Sequence, residues 1–440
     1  MIYEAMLQKF AFPISNLLMR RKFWAIHQEL QASQWYPPER IEAIQLAKLR
    51  RLVEHAHSTV PLYKELMDEK GVKPSDIRQL EDIKRLPIVT KKDFREGFPE
   101  RCTSKAVLRD DWILDSTSGS TGNPFQFIKD RTSTDYTLAN TFRNYTWTNI
   151  KIGNRMLFLW GYHKTAVAGR ILDSMMRRKY LSAFDVESNY RDYYRQIKNW
   201  RPYLIEAYSS SLTRFAKLLS QHGLTDVHVP AVISGAETLY PDNRRLMEEV
   251  LHTQVFNRYG SRELSPVAHE CDHHTGLHVN GESYIVETLK ENKSDEYGKL
   301  IVTSLVNFTM PFIRYDTEDY ATQSTRRCTC GRNFQMLASV DGRVVDFIKL
   351  PSGKELSFLF FNYFFEQYGA YLRQFQVIQD EENHITINLV TTSAFDKQRE
   401  KAILEGIHKK LGAGMKVAIN KVDKIQREKS GKIRPVKRLI

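Results

Sequence analysis

Ser116 to Pro124 read STSGSTGNP, a run of hydroxyls and glycines with almost no bulk, set between the more apolar stretches DDWILD and FQFIKD. Small residues let backbone N–H groups approach phosphate oxygens, and Ser and Thr hydroxyls add donors that carry no fixed charge. The segment suits a clamp on a polyphosphate such as that of ATP, although loops of this composition taken alone are mostly ordinary linkers. It is not the GxxxxGK[ST] loop, and the late pair Gly431-Lys432 is followed by Ile433. Soft metal ligands form a second group. Cys328 and Cys330 make a C-x-C pair before Gly331, and Cys271 lies in ECDHHTGLH with His273, His274 and His278 close by. Three thiolates and one imidazole would complete a closed tetrahedral zinc shell; the alternative is two unrelated turns that happen to carry such side chains. Cys102 stands apart and reads as structural.

These residues need elements to hold them. From Glu39 to about Lys70 apolar residues recur at helical spacing (Ile41, Ile44, Leu46, Leu49, Leu52, Val53, Ala56) and the pattern stops at Gly71, which predicts a helical N-terminal region. Pro87 introduces LPIVTKKDF, a short strand or turn leading to a helix start at Thr90. Between about 110 and 320, runs such as RMLFLW, HVPAVIS, TQVFNRYG and GKLIVTSLV alternate with helical stretches such as YRQIKNW and SLTRFAKLLSQHG. That alternation predicts an α/β core with a largely parallel sheet. Residues 373–392 predict two alternating strands joined by Asp-Glu-Glu-Asn, followed by a helix over Ala394–Leu411 and a strand over Lys416–Val422, a small α+β module. The expected boundary lies near Gly342-Arg343, giving a large domain over 1–341 and a small one over 342–440. There is no internal repeat and no low-complexity segment.

With 440 residues, 42% of them hydrophobic, the chain has material for two or three domain-sized units. No run of 18 apolar residues occurs, and Glu4 and Lys9 come too early for a secretory signal, so a cytoplasmic protein is expected. The first 24 residues place Phe, Ile, Leu and Met near Arg20, Arg21 and Lys22. A surface helix on anionic lipid is one reading of them, and a helix packed on the body is the preferred one. Net charge is +13, from 65 basic and 52 acidic residues, which favours anionic partners. ATP, coenzyme A, membrane and nucleic acid all qualify, and with no RNP motif, zinc finger or helix-turn-helix present nucleic acid is the weakest of the four. Four cysteines are too few for a disulfide framework and fit a reducing compartment.

Five short segments stand in order: STSGSTGNP at 116–124, SGAETL at 234–239, RYGSRE at 258–263, RYDTED at 314–319 and SGKIRP at 430–435. Together with LRRLVEHAHSTVPLYKELM at 49–67, they resemble the phenylacetate–CoA ligase branch of the adenylate-forming superfamily, from about residue 38 to the C-terminus. The segment VDFIKLPSGKELS brings the likeness nearest to the group associated with capsular polysaccharide biosynthesis. The resemblance implies a large N-terminal α/β domain that binds ATP and a carboxylic acid, and a small mobile α+β domain carrying a catalytic lysine. It implies formation of an acyl-adenylate with release of pyrophosphate, then transfer of the acyl group to coenzyme A. Transfer to a carrier-protein pantetheine or a sugar amine stands as an alternative, and so does a nucleotide-binding protein without catalysis. A carboxylate ionised at pH 7 needs no general base, so the first step asks for charge neutralisation and in-line positioning.

By the same likeness, Thr117, Ser118, Ser120 and Thr121 hold the β- and γ-phosphates, with Gly119 and Gly122 giving close approach. Glu263 holds Mg²⁺, Tyr259 and Gly260 place the adenine, and Gly235, Ala236 and Glu237 line its other side. Asp319 accepts the ribose hydroxyls with help from Arg343, and Lys432 reaches the bond forming at the α-phosphorus. Trp160, Tyr208 and Ser209 fall in the segments LWGYHK and EAYSSSL that shape the acid pocket; aromatics there equally suit a core. Cys271, His278, Cys328 and Cys330 become a structural zinc site, with His274 in reserve. Two positions depart from the pattern: Glu318 stands where relatives usually have Gly, and Val345 stands where they carry a charged hinge residue. The second departure weakens the expectation of thioester formation relative to adenylation. Relatives often dimerise through the large domain, so a homodimer is one expected state.

Overall fold

The computed structural model describes residues 3, 6–13, 21–117, 125–161, 167–290, 297–343, 347–351, 355–357, 361, 364–365, 367–412, 414–426 and 434–440; at 10–11, 167–169, 171, 341–343, 347, 355 and 357 it describes the backbone alone. The chain divides into a larger compact unit within Met1–Val340 and a smaller one comprising Glu318–Tyr320 and Asp341–Ile440. The larger unit opens with helices α1 (Phe23–Ser33), α2 (Pro38–Thr59), α3 (Pro61–Lys70) and α4 (Lys91–Gly97). The hairpin β1 (Ile113–Ser116) and β2 (Gln126–Lys129) follows, then α5 (Arg131–Trp147), β3 (Met156–Trp160), α6 (Val167–Met175), β4 (Arg178–Ser182) and α7 (Val186–Trp200). Next come β5 (Leu204–Tyr208), α8 (Ser209–Gln221), β6 (Ala231–Gly235), α9 (Pro241–Leu251), β7 (Gln254–Ser261), β8 (Ser265–Glu270) and β9 (Leu277–Val279). The strands β10 (Tyr284–Leu289), β11 (Gly298–Ser304), β12 (Tyr315–Gln323) and β13 (Met336–Arg343) complete it.

Eleven strands form one sheet in the order β10-β11-β12-β13-β9-β8-β7-β6-β5-β3-β4. The run β7-β6-β5-β3-β4 is parallel, and the chain turns back at β8. Strand alternation explains how both faces of the parallel part are covered. Leu157, Leu159, Ile205, Ala207, Val232 and Val255 point to α7, α8 and α9. Met156, Phe158, Leu204, Ile233 and Phe256 point to α1 and α5, against Leu30, Ala139, Phe142 and Tyr145.

The helical region expected over Glu39–Lys70 is present as two helices, α2 and α3. Val60 adopts φ −114° and ψ 110° and Pro61 opens α3 at its first turn, because the residue before a proline is pushed out of the helical region. Gly71, at φ 65°, ends α3 in the left-handed region. Thr90 caps α4 by accepting a bond from Asp93 N while Asp93 reaches back to Thr90 N.

The smaller unit contains β14 (Phe347–Lys349), β15 (Glu355–Ser357), β16 (Leu372–Glu381), β17 (His384–Thr391), α10 (Lys397–Leu411), β18 (Lys416–Lys421) and β19 (Val436–Arg438). Its sheet runs β18-β17-β16-β19, and Ile403, Ile407 and Leu411 of α10 are buried along with Val377, Ile385, Ile387, Leu389 and Val436. The turn between β16 and β17 is tighter than the expected four residues, since Glu381 pairs with His384. The helix starts at Lys397, three residues after Ala394, because Asp396 is its cap and accepts from Arg399 N at 2.9 Å. Among the described residues no helix is long and apolar enough to cross a membrane.

Candidate functional site

Thr117 closes the base of the Ser/Gly segment. Its N–H donates to Phe125 O at 2.9 Å and its Oγ1 accepts from Phe125 N at 3.0 Å, so this hydroxyl's acceptor is spent on shaping the loop. Ser118, Gly119, Ser120, Thr121 and Gly122 lie outside the described residues, as do Val345 and Lys432. Three hydrogen bonds fix where the hairpin stands. Arg262 donates to Asp115 at 2.7 Å, and Lys129 Nζ donates to Arg262 O at 2.5 Å and to Ser265 Oγ at 3.1 Å. The hairpin is thereby clipped to the turn that carries Glu263.

Glu263 is buried, 6% exposed. Its Oε1 accepts from Tyr315 OH at 3.1 Å, and its Oε2 has no partner among the described residues. A buried carboxylate oxygen left unpaired is costly unless a cation or donor meets it, so the residue fits one ligand of a Mg²⁺ held mainly by substrate phosphates. Lys129 is the nearby cation, its ammonium pKa lowered by burial and pulled back up by Asp115 and Glu263. Tyr259 and Gly260 sit at a bulge where β7 turns back into β8. A side chain at 260 would place its Cβ 2.2 Å from Ser265 O, which is why that position needs glycine.

Asp319 and Glu318 lie on β12, in the short stretch that groups with the smaller unit, and Glu318 adopts φ 64°. Arg314, at φ 48°, anchors the strand's start by a paired contact to Glu287 at 2.9 Å and bonds to the carbonyls of Lys84 and Leu86. Arg343 ends β13, with only its backbone described.

At the C-terminal edge of the parallel strands, Tyr208, Gly235 and Arg258 stand side by side in register across β5, β6 and β7. Trp160, at the end of β3, stacks on Tyr208 with ring centroids 4.2 Å apart. Arg258 reaches over β6 to pair with Glu206 of β5 at 2.7 Å, and Tyr145 OH donates to the other Glu206 oxygen at 2.8 Å. The missing side chain of Gly235 allows this crossing, since a Cβ there would meet the guanidinium at 3.2 Å. Ala236 follows at φ 63°, and Glu237 accepts from Ser210 N at 2.7 Å and Ser210 Oγ at 3.1 Å, a carboxylate at the start of α8. Ser209 Oγ and Ser234 Oγ are buried with no partner among the described residues.

The four soft ligands come together. One ligand atom each from Cys271, His278, Cys328 and Cys330 lies within 4.8 Å of every other. Cys271 Sγ is 3.6 Å from Cys328 Sγ, and Cys330 Sγ is 3.5 Å from His278 Nε2. A tetrahedral zinc with Zn–S near 2.3 Å and Zn–N near 2.0 Å sets those edges at about 3.8 and 3.6 Å, so the donor set and its spacing fit the ion. His273 N and Arg332 N donate to Cys271 and Cys330 sulfurs at 3.4 and 3.5 Å. Burial first, and then the Arg332 guanidinium, hold His278 neutral at a pKa of about 4, the form that ligates. Burial pushes the Cys271 thiol up, a penalty that a metal would offset. His274 is engaged elsewhere: its Nδ1 is 3.3 Å from Glu270 and 3.1 Å from Arg244.

The sequence family described as CapK C-terminal domain matches residues 350–439. A phenylacetate–coenzyme A ligase of Thermus thermophilus is 26% identical over 326 residues, covering 71% of this chain and 72% of that protein. The phenylacetate–coenzyme A ligase of Escherichia coli K12 is 26% identical over 304 residues, covering 64% of this chain and 67% of that protein. Over most of its length the chain is similar to phenylacetate–coenzyme A ligases. Its fold agrees: a 2-hydroxyisobutyryl-CoA ligase in the postadenylation state superimposes with a TM-score of 0.75 over 92% of this chain and 91% of that one, at 17% identity. The same ligase in an open conformation with 2-HIB-AMP and CoA gives 0.62 over 90% and 91%, at 18% identity.

The motifs named six of the side chains the structure gathers at the edge of the parallel strands and the β7–β8 turn: Trp160, Tyr208, Ser209, Glu237, Tyr259 and Glu263. They did not name Lys129, Tyr315 or the Tyr145–Glu206–Arg258 network. Arg258 was visible as a charge inside the strand run TQVFNRYG, a placement that argues for a buried partner.

Proposed function

We propose that this protein activates a carboxylic acid as its acyl-adenylate, releasing pyrophosphate, and then passes the acyl group to coenzyme A. The observation that carries the reading is the buried, half-unpaired Glu263 carboxylate, held by Tyr315 and clipped through Arg262 and Lys129 to the hairpin that bears the Ser/Gly segment. Mg²⁺ bound there would neutralise phosphate charge. Ser118, Ser120 and Thr121 would donate to the β- and γ-phosphates with Gly119 and Gly122 allowing close approach, and Tyr259 would flank the adenine. Asp319 and Arg343 would hold the ribose, and Lys432 would meet charge that develops between the acid and the α-phosphorus, where stabilisation raises the rate most. Zinc on Cys271, His278, Cys328 and Cys330 would be structural, since four protein ligands leave no position for water. The four cysteines are free, as suits a cytoplasmic enzyme.

Acid-dependent exchange of pyrophosphate into ATP tests the first step. Exchange with wild type and its loss in Lys432→Ala are expected, and unchanged exchange in that variant would demote Lys432 to surface charge. The match of residues 350–439 to the CapK C-terminal domain favours a second reading, in which the acceptor is a carrier-protein pantetheine or a sugar amine of polysaccharide assembly. Adding free coenzyme A to the preformed adenylate separates the two: thioester appears in the first reading and not in the second.

A further inference from the structure

We infer that the acid carries a hydroxyl or keto oxygen on its tail, recognised by the guanidinium of Arg258; this rests on the adenylation reading above. Ligands of α/β sheets bind outside the carboxyl ends of the parallel strands, and here those ends present Tyr208, Gly235 and Arg258 in one row, with Trp160 stacked beside it. The guanidinium covers Gly235, so the floor of the row is a plane of N–H donors where the backbone would otherwise be bare. Glu206 and Tyr145 occupy one side of that plane, and the Arg258 side chain keeps 17% of its surface exposed. An alkyl or phenyl tail would strip water from the exposed part of this guanidinium and return nothing. An ammonium would be repelled by the guanidinium. A second carboxylate would find Arg258 already neutralised by Glu206. A neutral oxygen acceptor satisfies the donors without a charge imbalance.

Pyrophosphate exchange with the full-length protein tests this on matched pairs: lactate against propionate, 2-hydroxyisobutyrate against pivalate, 3-hydroxybutyrate against butyrate, and 4-hydroxyphenylacetate against phenylacetate, with octanoate included. At least one oxygenated acid is expected to exceed its partner in kcat/KM by about 10⁴-fold, as sites built to hydrogen-bond a substrate oxygen discriminate. In a Glu206→Met/Arg258→Met variant that ratio should fall to near one. The pair is replaced together because removing Arg258 alone leaves a buried, uncompensated carboxylate. Exchange that favours the partner lacking the oxygen, or a ratio kept by a double variant with wild-type circular dichroism, overturns the inference and leaves adenylation standing. Exchange with no acid at all removes the adenylation reading, and the inference with it.

Discussion

The two oxygens of Glu263 have different fates, and the difference makes a test at the level of single atoms. Oε1 is oriented by Tyr315, whereas Oε2 is buried without a partner among the described residues. Glu263→Gln replaces one oxygen by a donor that repels Mg²⁺, and is expected to lower pyrophosphate exchange by at least ~10²-fold. Tyr315→Phe keeps both oxygens but frees the carboxylate to rotate, and should cost roughly tenfold with a higher Mg²⁺ requirement, as loss of an orienting contact does. Equal effects of the two would mean that Glu263 acts through packing. Glu318 offers a second test, of stability. At φ 64° it occupies the left-handed region that glycine enters freely. Glu318→Gly should therefore stabilise the protein, by about 0.5–1 kcal/mol in urea melts after the greater freedom of the unfolded chain is counted. Destabilisation would show that the contacts of the Glu318 side chain outweigh the backbone strain.

Elements were legible in the sequence where a local rule decides them. Alternation marked β3, β6, β7 and β11 because each side of a buried strand needs its own apolar residues, and Gly71 marked the end of α3. Pro61 was a local signal too, but the helical periodicity on either side of it masked the break. What could not be read were facts of strand order: Arg258 meets Glu206 only because β6 lies between β7 and β5 and has glycine at the crossing point. The close approach that requires Gly260 likewise appears only once β8 folds back on β7. The helix α1 shows how packing sets a measurable property. His27 is buried against α5, with its Nδ1 3.4 Å from Ala139 O and its ring among Phe23, Trp24 and Phe142. Burial, offset by that carbonyl and reinforced by Arg143, lowers its pKa from 6.5 to about 4. Because the folded state binds this proton less readily than the unfolded state, the contribution is whole above pH 6.5 and is lost as pH falls toward 4, to a total of about 3 kcal/mol. Hydrogen exchange of α1 amides should report that loss, and His27→Phe should flatten the dependence; an unaltered pH profile in the variant would assign it to other groups.

On the scale of the whole molecule, the division near Asp341 separates a unit with an eleven-stranded sheet and several apolar clusters from one with a four-stranded sheet covered by α10. Units with separate cores unfold as separate cooperative blocks unless their interface is large, so calorimetry should resolve two transitions. The Cys271, His278, Cys328 and Cys330 cluster lies entirely in the larger unit, and its surroundings reach back toward the chain's first helices. Cys271 packs with Ile41, Trp147 and Phe334, while Arg332 donates to Gln34 at 3.2 Å and Asn333 to Tyr36 O at 3.2 Å. Zinc bound to the folded larger unit, and to no comparable site in the unfolded chain, stabilises that unit alone, by about 4 kcal/mol at a thousandfold excess over its Kd. Chelation with phenanthroline should accordingly lower the larger unit's transition by about 5 °C and leave the smaller one in place. Cys328→Ser should reproduce the shift and abolish any further effect of the chelator. Near one equivalent of zinc in the purified protein is the companion result; its absence, with both transitions indifferent to chelator, would reduce the four side chains to neighbouring thiols and an imidazole whose convergence serves packing.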